Sequence, residues 1–303
     1  MSKIFERIIY KQLYTFFENI LSKFQCGFRK NFSSQYSLIL MIEKWKRSMD
    51  HKACCGAVLT DLSKAFDCLD HDLLIAKLNA YGVEVDALKL LQSYLSNRFQ
   101  RVKVNSCYSS WSEILTGVPQ GSVLGPLLFN IYLSDLFLFF DKSNIASYAD
   151  DNTPYACEKD IETVISNLEE DSKTILKWVC NNKLKANPDK FHLILSDKDT
   201  KLSLKVDNFA ITNSKSERLL GVTIDNKLNF NVHVSKLCMK ASQKLHALAR
   251  VSHFMSTERR KTIMNAFINS QFGYCPLVWM FHSRRLNKKI NNIHERSLRL
   301  VYL

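Results

Sequence analysis

Apolar and polar positions along this chain follow two periods, and the switches between them outline its elements. Over residues 1–23, Ile4, Ile8, Leu13 and Phe17 recur at roughly helical spacing with Lys and Glu between them, which predicts an amphipathic helix. A loop, QCGFRKNFSS, follows, and the stretch from Gln35 to Met49 predicts a second helix. CCGAVLTD reads as a short buried strand of small and branched residues that ends at Asp61. Helical spacing returns over 71–96 through Leu74, Leu78, Leu88, Leu91 and Leu95. RVKVNSCYSSW alternates as a strand pair around Asn105–Ser106. TGVPQGS is a loop whose Ser122 is placed to cap a helix with Leu124, Leu127, Leu128 and Ile131 on its apolar face. Pro126 falls in that helix's first turn, where a missing N–H costs little.

IASYADDNTPYAC gives two strand-like runs separated by Asp-Asp-Asn, a hairpin signature. Residues 160–180 predict a long amphipathic helix, and FHLILS and RLLGVTI predict two further strands. From Val232 onward the pattern is helical, with Val234, Leu237, Ala241, Leu245 and Leu248 on one face. Irregular alternation of strands and helices favours an α+β core over a doubly wound sheet. The organisational break falls near residue 226, with mixed structure before it and basic, all-helical structure after it.

Charge sharpens that break. The formal net charge is +13, and from Lys227 to the end there are 14 basic residues against Glu258 and Glu295 alone. Such an excess favours a polyanionic partner. Nine cysteines, an odd number with no C-x-x-C pair, suggest neither a disulfide framework nor a zinc site. The N-terminus lacks the features of a signal peptide, and the most apolar runs are too short and too polar to span a membrane. The expected setting is intracellular, in nucleus or cytoplasm, with no membrane partner.

The candidate chemistry lies in three carboxylates. Asp61 ends a strand, and Asp150 and Asp151 sit at a predicted hairpin tip. Phosphoryl transfer to a sugar hydroxyl needs charge neutralised on the attacking and the leaving oxygen, which two Mg²⁺ ions about 3.5–4 Å apart can do. Mg²⁺ takes one or two carboxylates per ion, so two or three Asp at neighbouring strand ends would suffice. An Asp pair in a turn is common, and alone it decides little.

The surrounding blocks add weight. TDLSKAFDCLDH, VPQGSVLGPLLFNIYL and SYADDNTPY, in this order and spacing, resemble the A, B and C motifs of reverse transcriptases, YADD being the metal-binding box. LSKFQCGFRKNFSSQYSL resembles the fingers segment of non-LTR elements, WVCNNKLKANPDKFHLIL the D motif, and RLLGVTID the E motif that leads into a thumb. The chain is most similar in flavour to jockey-like, LINE-type elements. Asn152 and Pro154 depart from the usual residues after the box, and Ser34 stands where Thr is usual.

The resemblance implies a right-hand polymerase fold. Residues 1–55 would be partial fingers, 56–226 a palm of antiparallel sheet and helices with interspersed fingers elements, and 227–303 a basic helical thumb truncated at its C-terminus. It implies RNA-directed DNA polymerisation, with RNA template, DNA primer and dNTPs as partners. Two Mg²⁺ ions, with Mn²⁺ as an alternative, would be held by Asp61, Asp150, Asp151 and the Leu62 carbonyl. Phe66 would be the steric gate against a 2′-hydroxyl. Gln120 and Gly121 would meet the template–dNTP pair, with Gly121 allowing close backbone approach. Arg29 and Lys30 would meet the triphosphate, and Lys190 would protonate leaving pyrophosphate. Arg259, Arg260, Arg284, Arg285, Lys288 and Lys289 would grip phosphates without sequence preference. The chain is then expected to be a piece of a retrotransposon polyprotein that elsewhere carries an endonuclease. The competing expectation is a truncated, inactive relic that retains nucleic-acid binding alone.

Overall fold

A computed structural model describes residues 2–140, 142–196, 202–280 and 283–302. Helices α1 (Ser2–Phe17) and α2 (Ser34–Asp50) precede strand β1 (Cys54–Leu59), and α3 (His71–Ala80) and α4 (Val85–Leu95) follow it. Four two-residue strands, β2 (Phe99–Gln100), β3 (Lys103–Val104), β4 (Cys107–Tyr108) and β5 (Ser112–Glu113), form a ribbon ahead of α5 (Gly125–Leu133). The hairpin of β6 (Asn144–Tyr148) and β7 (Asp151–Glu158) leads to α6 (Ile161–Asn181) and β8 (His192–Leu195). Two more hairpins follow, β9 (Ser203–Val206) with β10 (Phe209–Thr212), and β11 (Ser216–Leu219) with β12 (Val222–Asp225). The basic tail is helical: α7 (Asn231–Val251), α8 (Thr257–Ile263), α9 (Pro276–Trp279) and α10 (Arg284–Tyr302).

The central sheet runs β6-β7-β1-β8, antiparallel throughout. Strand side chains alternate between faces. Cys55 and Ala57 of β1 therefore face α2 and the tail, and Val58 faces α6. Trp45 and Leu38 of α2, Tyr155 of β7, Val234 and Leu245 of α7, and Ile293 and Val301 of α10 share one continuous apolar core. A second core surrounds α5, which is buried on nearly all sides, and takes in α3, α4 and the end of α1.

Several predicted elements change in detail. The first helix ends at Phe17, and Ile4 and Ile8 are exposed while Leu13 and Phe17 are buried. The inward residue of its first half is Glu6, whose carboxylate accepts the N–H groups of Val123 and Leu124 at the start of α5. A buried anion at a helix N-terminus satisfies otherwise orphaned donors. The helical run 71–96 breaks at Gly82 into α3 and α4. RLLGVTI is two strands, not one, because Leu220 and Gly221 both take positive φ and turn the chain back on itself. The β9–β10 hairpin is an element the sequence pattern does not predict; its turn begins at Asp207, also at positive φ.

Candidate active site

The β1–β7 ladder sets the positions of the carboxylates. Cys54 pairs with Glu158 and Ala57 with Tyr155, and an isolated bridge continues the register to Thr60 and Asn152. Thr60 locks that bridge twice, its N–H and Oγ1 both donating to the Asn152 carbonyl at 3.2 and 2.6 Å. One step further along the same register, Asp61 stands opposite Asp151. Directly opposed residues have Cβ atoms about 5 Å apart. The hairpin tip is Ala149–Asp150 rather than Asp150–Asp151–Asn152, because Asp151 pairs with Tyr148 as the first residue of β7. Asp150 thus projects from the turn beside the Asp61–Asp151 pair.

The tip rests on the QCG loop. Cys26 N–H donates to Ser147 O at 2.9 Å and Ser147 N–H to Phe24 O at 3.3 Å, which adds the loop as a short parallel edge to β6. Asn130 of α5 holds the loop from behind, donating from Nδ2 to Gly27 O at 2.8 Å and accepting from Gln25 Nε2 at 2.7 Å. A Cβ on Gly27 would lie 2.2 Å from Ala149 N and 2.9 Å from Ala149 Cα. Only glycine lets the loop come this close to the turn that carries Asp150.

The carboxylates act on one another electrostatically. Asp151 is pushed up to about 6, first by burial and then by the charges of Asp150 and Asp61. Asp150 is also raised, by burial and by Asp61. Asp61 faces Lys190, whose Nζ lies 3.0 Å from Oδ2. Among the described residues no three His, Cys, Asp or Glu side chains converge closely enough to hold a metal ion as they stand. The donor set still fits one. It is all oxygen, it sits on adjacent strand ends, and its mutual repulsion is what a divalent cation would relieve. Asn187 N–H bonds Asp61 O and Ser63 N–H bonds Lys185 O, both on the β8 side. Strand alternation turns the Leu62 carbonyl the other way, toward the hairpin tip.

Beside the carboxylates lies a cleft of about 210 Å³ lined by Asp61, Asp151, Lys190, His192 and Arg218, with Leu219 and Leu220 of the β11–β12 turn on its far wall. That turn is held by the tail, since Tyr274 Oη donates to Leu220 O at 2.7 Å. Phe66, half-buried on a 3-10 turn, stacks on Phe129 of α5 at 4.1 Å and meets Phe28 edge-on at 5.7 Å. Gln120 is exposed, and its Nε2 donates to Asp67 Oδ1 at 2.9 Å. Gly121 has φ +78 with open space where a Cβ would point. Its backbone conformation, rather than a close neighbour, is what calls for glycine here.

Other expected contacts are placed differently. Arg29 is not a free cation: its guanidinium donates to the carbonyls of Ser22, Gln25 and Glu18, and stacks on Phe32. It stiffens the QCG loop. Lys30 is exposed, and its N–H donates to Tyr14 Oη at 3.3 Å. Arg260 likewise is engaged within the tail, donating to Leu300 O at 2.8 Å and so tying α8 to α10. Arg259, Arg284, Arg285, Lys288 and Lys289 are exposed. Sequence reasoning missed Glu6, the Gly27–Ala149 contact, the Thr60–Asn152 lock and Arg218. A Glu among apolar neighbours in an amphipathic helix was the one signal available for Glu6.

Residues 1–224 match the family model described as reverse transcriptase (RNA-dependent DNA polymerase). The chain is 28% identical to a probable RNA-directed DNA polymerase from transposon BS of Drosophila melanogaster, over 99% of the chain and 35% of that relative. It is 28% identical to the RNA-directed DNA polymerase from the Drosophila melanogaster mobile element jockey, over 89% of the chain and 30% of that relative. The chain therefore spans about a third of the length of the curated relatives it matches. Among solved structures, apo telomerase from Candida tropicalis matches with a TM-score of 0.52 and 12% identity, over 99% of this chain and 55% of that one. A form of it truncated from its C-terminal domain matches with a TM-score of 0.53 and 11% identity, over 72% and 43%. These place the right-hand polymerase fold. No helix among the described residues is long and apolar enough to cross a membrane.

Proposed function

The chain belongs to the reverse transcriptase (RNA-dependent DNA polymerase) family, as a LINE-type member, and from that premise we propose that it extends a DNA primer on an RNA template. In this reading residues 1–55 are partial fingers, 56–226 the palm and 227–303 the thumb. Asp61, Asp150, Asp151 and the Leu62 carbonyl would hold two magnesium ions, with manganese as an alternative. When bound, such a pair neutralises charge on the attacking and leaving oxygens of an in-line displacement.

The chain's own residues do the remaining work. Phe66, fixed between Phe129 and Phe28, presents a ring where a ribose 2′-hydroxyl would need room. Gln120, steadied by Asp67, reaches the nascent base pair. Lys190 holds the Asp61 carboxylate; released from it, the ammonium is placed to give a proton to departing pyrophosphate. Arg218, which lines the same cleft as Asp61 and Asp151, would meet the primer backbone. The exposed cations of the tail, Arg259, Arg284, Arg285, Lys288 and Lys289, grip the duplex through phosphates.

The observation that carries this reading is the ladder register, which sets Asp61 opposite Asp151 with Asp150 at the adjoining turn. Primer extension on poly(rA)/oligo(dT) with Mg²⁺ tests it. Extension by the wild type and its loss in Asp150→Asn are expected. Failure to add a nucleotide under any divalent cation would leave the binding-only reading.

A further inference from the structure

The ribbon between α4 and α5 has no core. Every residue from Phe99 to Glu113 is exposed, including Phe99, Val102, Val104, Tyr108 and Trp111. A two-stranded ribbon with no covered face is marginal in water. This one is held by its ladder, by Ser109 N–H donating to Val102 O and Ile114 N–H to Arg98 O, and by stacked cations. The Arg101 guanidinium lies 4.1 Å from the Tyr108 ring centre and 4.5 Å from that of Trp111. Lys103 Nζ also lies over the Tyr108 ring, 5.1 Å from its centre. The ribbon carries Arg98, Arg101 and Lys103 against the single acid Glu113.

Its root lies at the site. A cleft of about 610 Å³ runs from Gln100 and Glu113 of the ribbon to Lys64, Asp67 and Gln120. Thr116, just past the ribbon, donates to Asp67 O at 2.9 Å. The ribbon therefore starts where the proposed templating pair would sit and extends away from it.

We propose that this ribbon is a platform for single-stranded nucleic acid, holding the template strand not yet copied. Exposed aromatic rings interleaved with cations suit a strand whose bases are unpaired: bases stack on the rings, and Arg101 and Lys103 meet phosphates. A duplex hides its bases and would use the cations alone. Identifying the strand as template rests on the polymerase reading; the binding of single strands does not.

Three measurements separate the two. Fluorescence anisotropy with a labelled single-stranded RNA of roughly ten nucleotides compares wild type with the Tyr108→Ala/Trp111→Ala pair and with Trp111→Phe. A blunt RNA–DNA duplex serves as control. The paired variant should bind the single strand at least about tenfold more weakly and the duplex nearly as well, and Trp111→Phe should retain binding. Unchanged single-strand affinity, or equal loss on strand and duplex, overturns the proposal. Photocrosslinking of thiouridine-substituted RNA to wild-type protein needs no variant to fold. Crosslinks within residues 98–115 are expected, and their absence overturns the proposal. On templates with long and short overhangs, the paired variant should lose extension only on the long one. A wild type that binds single strands through the ribbon yet never extends a primer would sink the polymerase reading and leave the platform.

Discussion

Replacing Gly27 by alanine tests whether the QCG loop positions the turn that carries Asp150. The added Cβ would stand 2.2 Å from Ala149 N, and both neighbours within 3 Å are backbone atoms that cannot rotate aside. To restore ordinary contact at 3.4 Å the turn or the loop must retreat by about 1.2 Å. The loop is fastened from behind by Asn130 and at its edge by Ser147, so much of that movement falls on the turn that carries Asp150. Overpacking of this kind costs about 1–3 kcal/mol. A displacement near 1 Å at reacting groups can cost about a hundredfold in rate. Urea denaturation should register the first loss, and primer extension well below the melting temperature the second. Ala149→Gly should not rescue the variant, since the clash is with main chain. A folded Gly27→Ala protein that extends primer at the wild-type rate refutes the coupling.

Asp61→Asn should reduce extension at least about a hundredfold while leaving nucleic-acid affinity, read by anisotropy, nearly unchanged. Phe66→Ala should relax discrimination between dNTP and NTP by roughly tenfold or more, measured as the ratio of incorporation rates. Glu6→Ala strips two backbone donors of α5 of a charged acceptor and should cost about 1–3 kcal/mol in urea denaturation. His233 is held down to about 4, chiefly by burial and then by Lys236, Arg218 and Lys240. It stays neutral in the folded state while its unfolded counterpart takes a proton near pH 6.5. Stability should therefore be full above pH 6.5 and fall as the pH drops toward 4, and His233→Gln should flatten that slope.

The helices were legible because their apolar stripes span many residues, and β1 and the β6–β7 hairpin because small and branched residues lie between strong turn signals. The acids were legible as a set through the motif blocks around them. What escaped was set by tertiary contact. Glu6 faces inward because α5 presents it with free N–H groups, while Ile4 and Ile8, on the expected apolar stripe, remain in solvent. Arg29 is engaged by carbonyls that only a folded loop brings together. The turn at Leu220–Gly221 needs a non-glycine residue at positive φ, which a run of apolar letters conceals. The register at Asp151 shifts by one from the expected turn, because Ala149, not an Asp, takes the left-handed position.

The unbroken apolar core that joins α10 to α2 and to the underside of β1 makes the tail a mechanical partner of the sheet rather than an appendage. A pull on the tail's cations, such as a sliding duplex would exert, passes through packed side chains to the strand that leads into Asp61. Interiors of this density yield little. Traction at the periphery and alignment at the centre are thereby linked, and a helix swapped in from a relative would have to match the underside of the sheet as well as keep its outward charge.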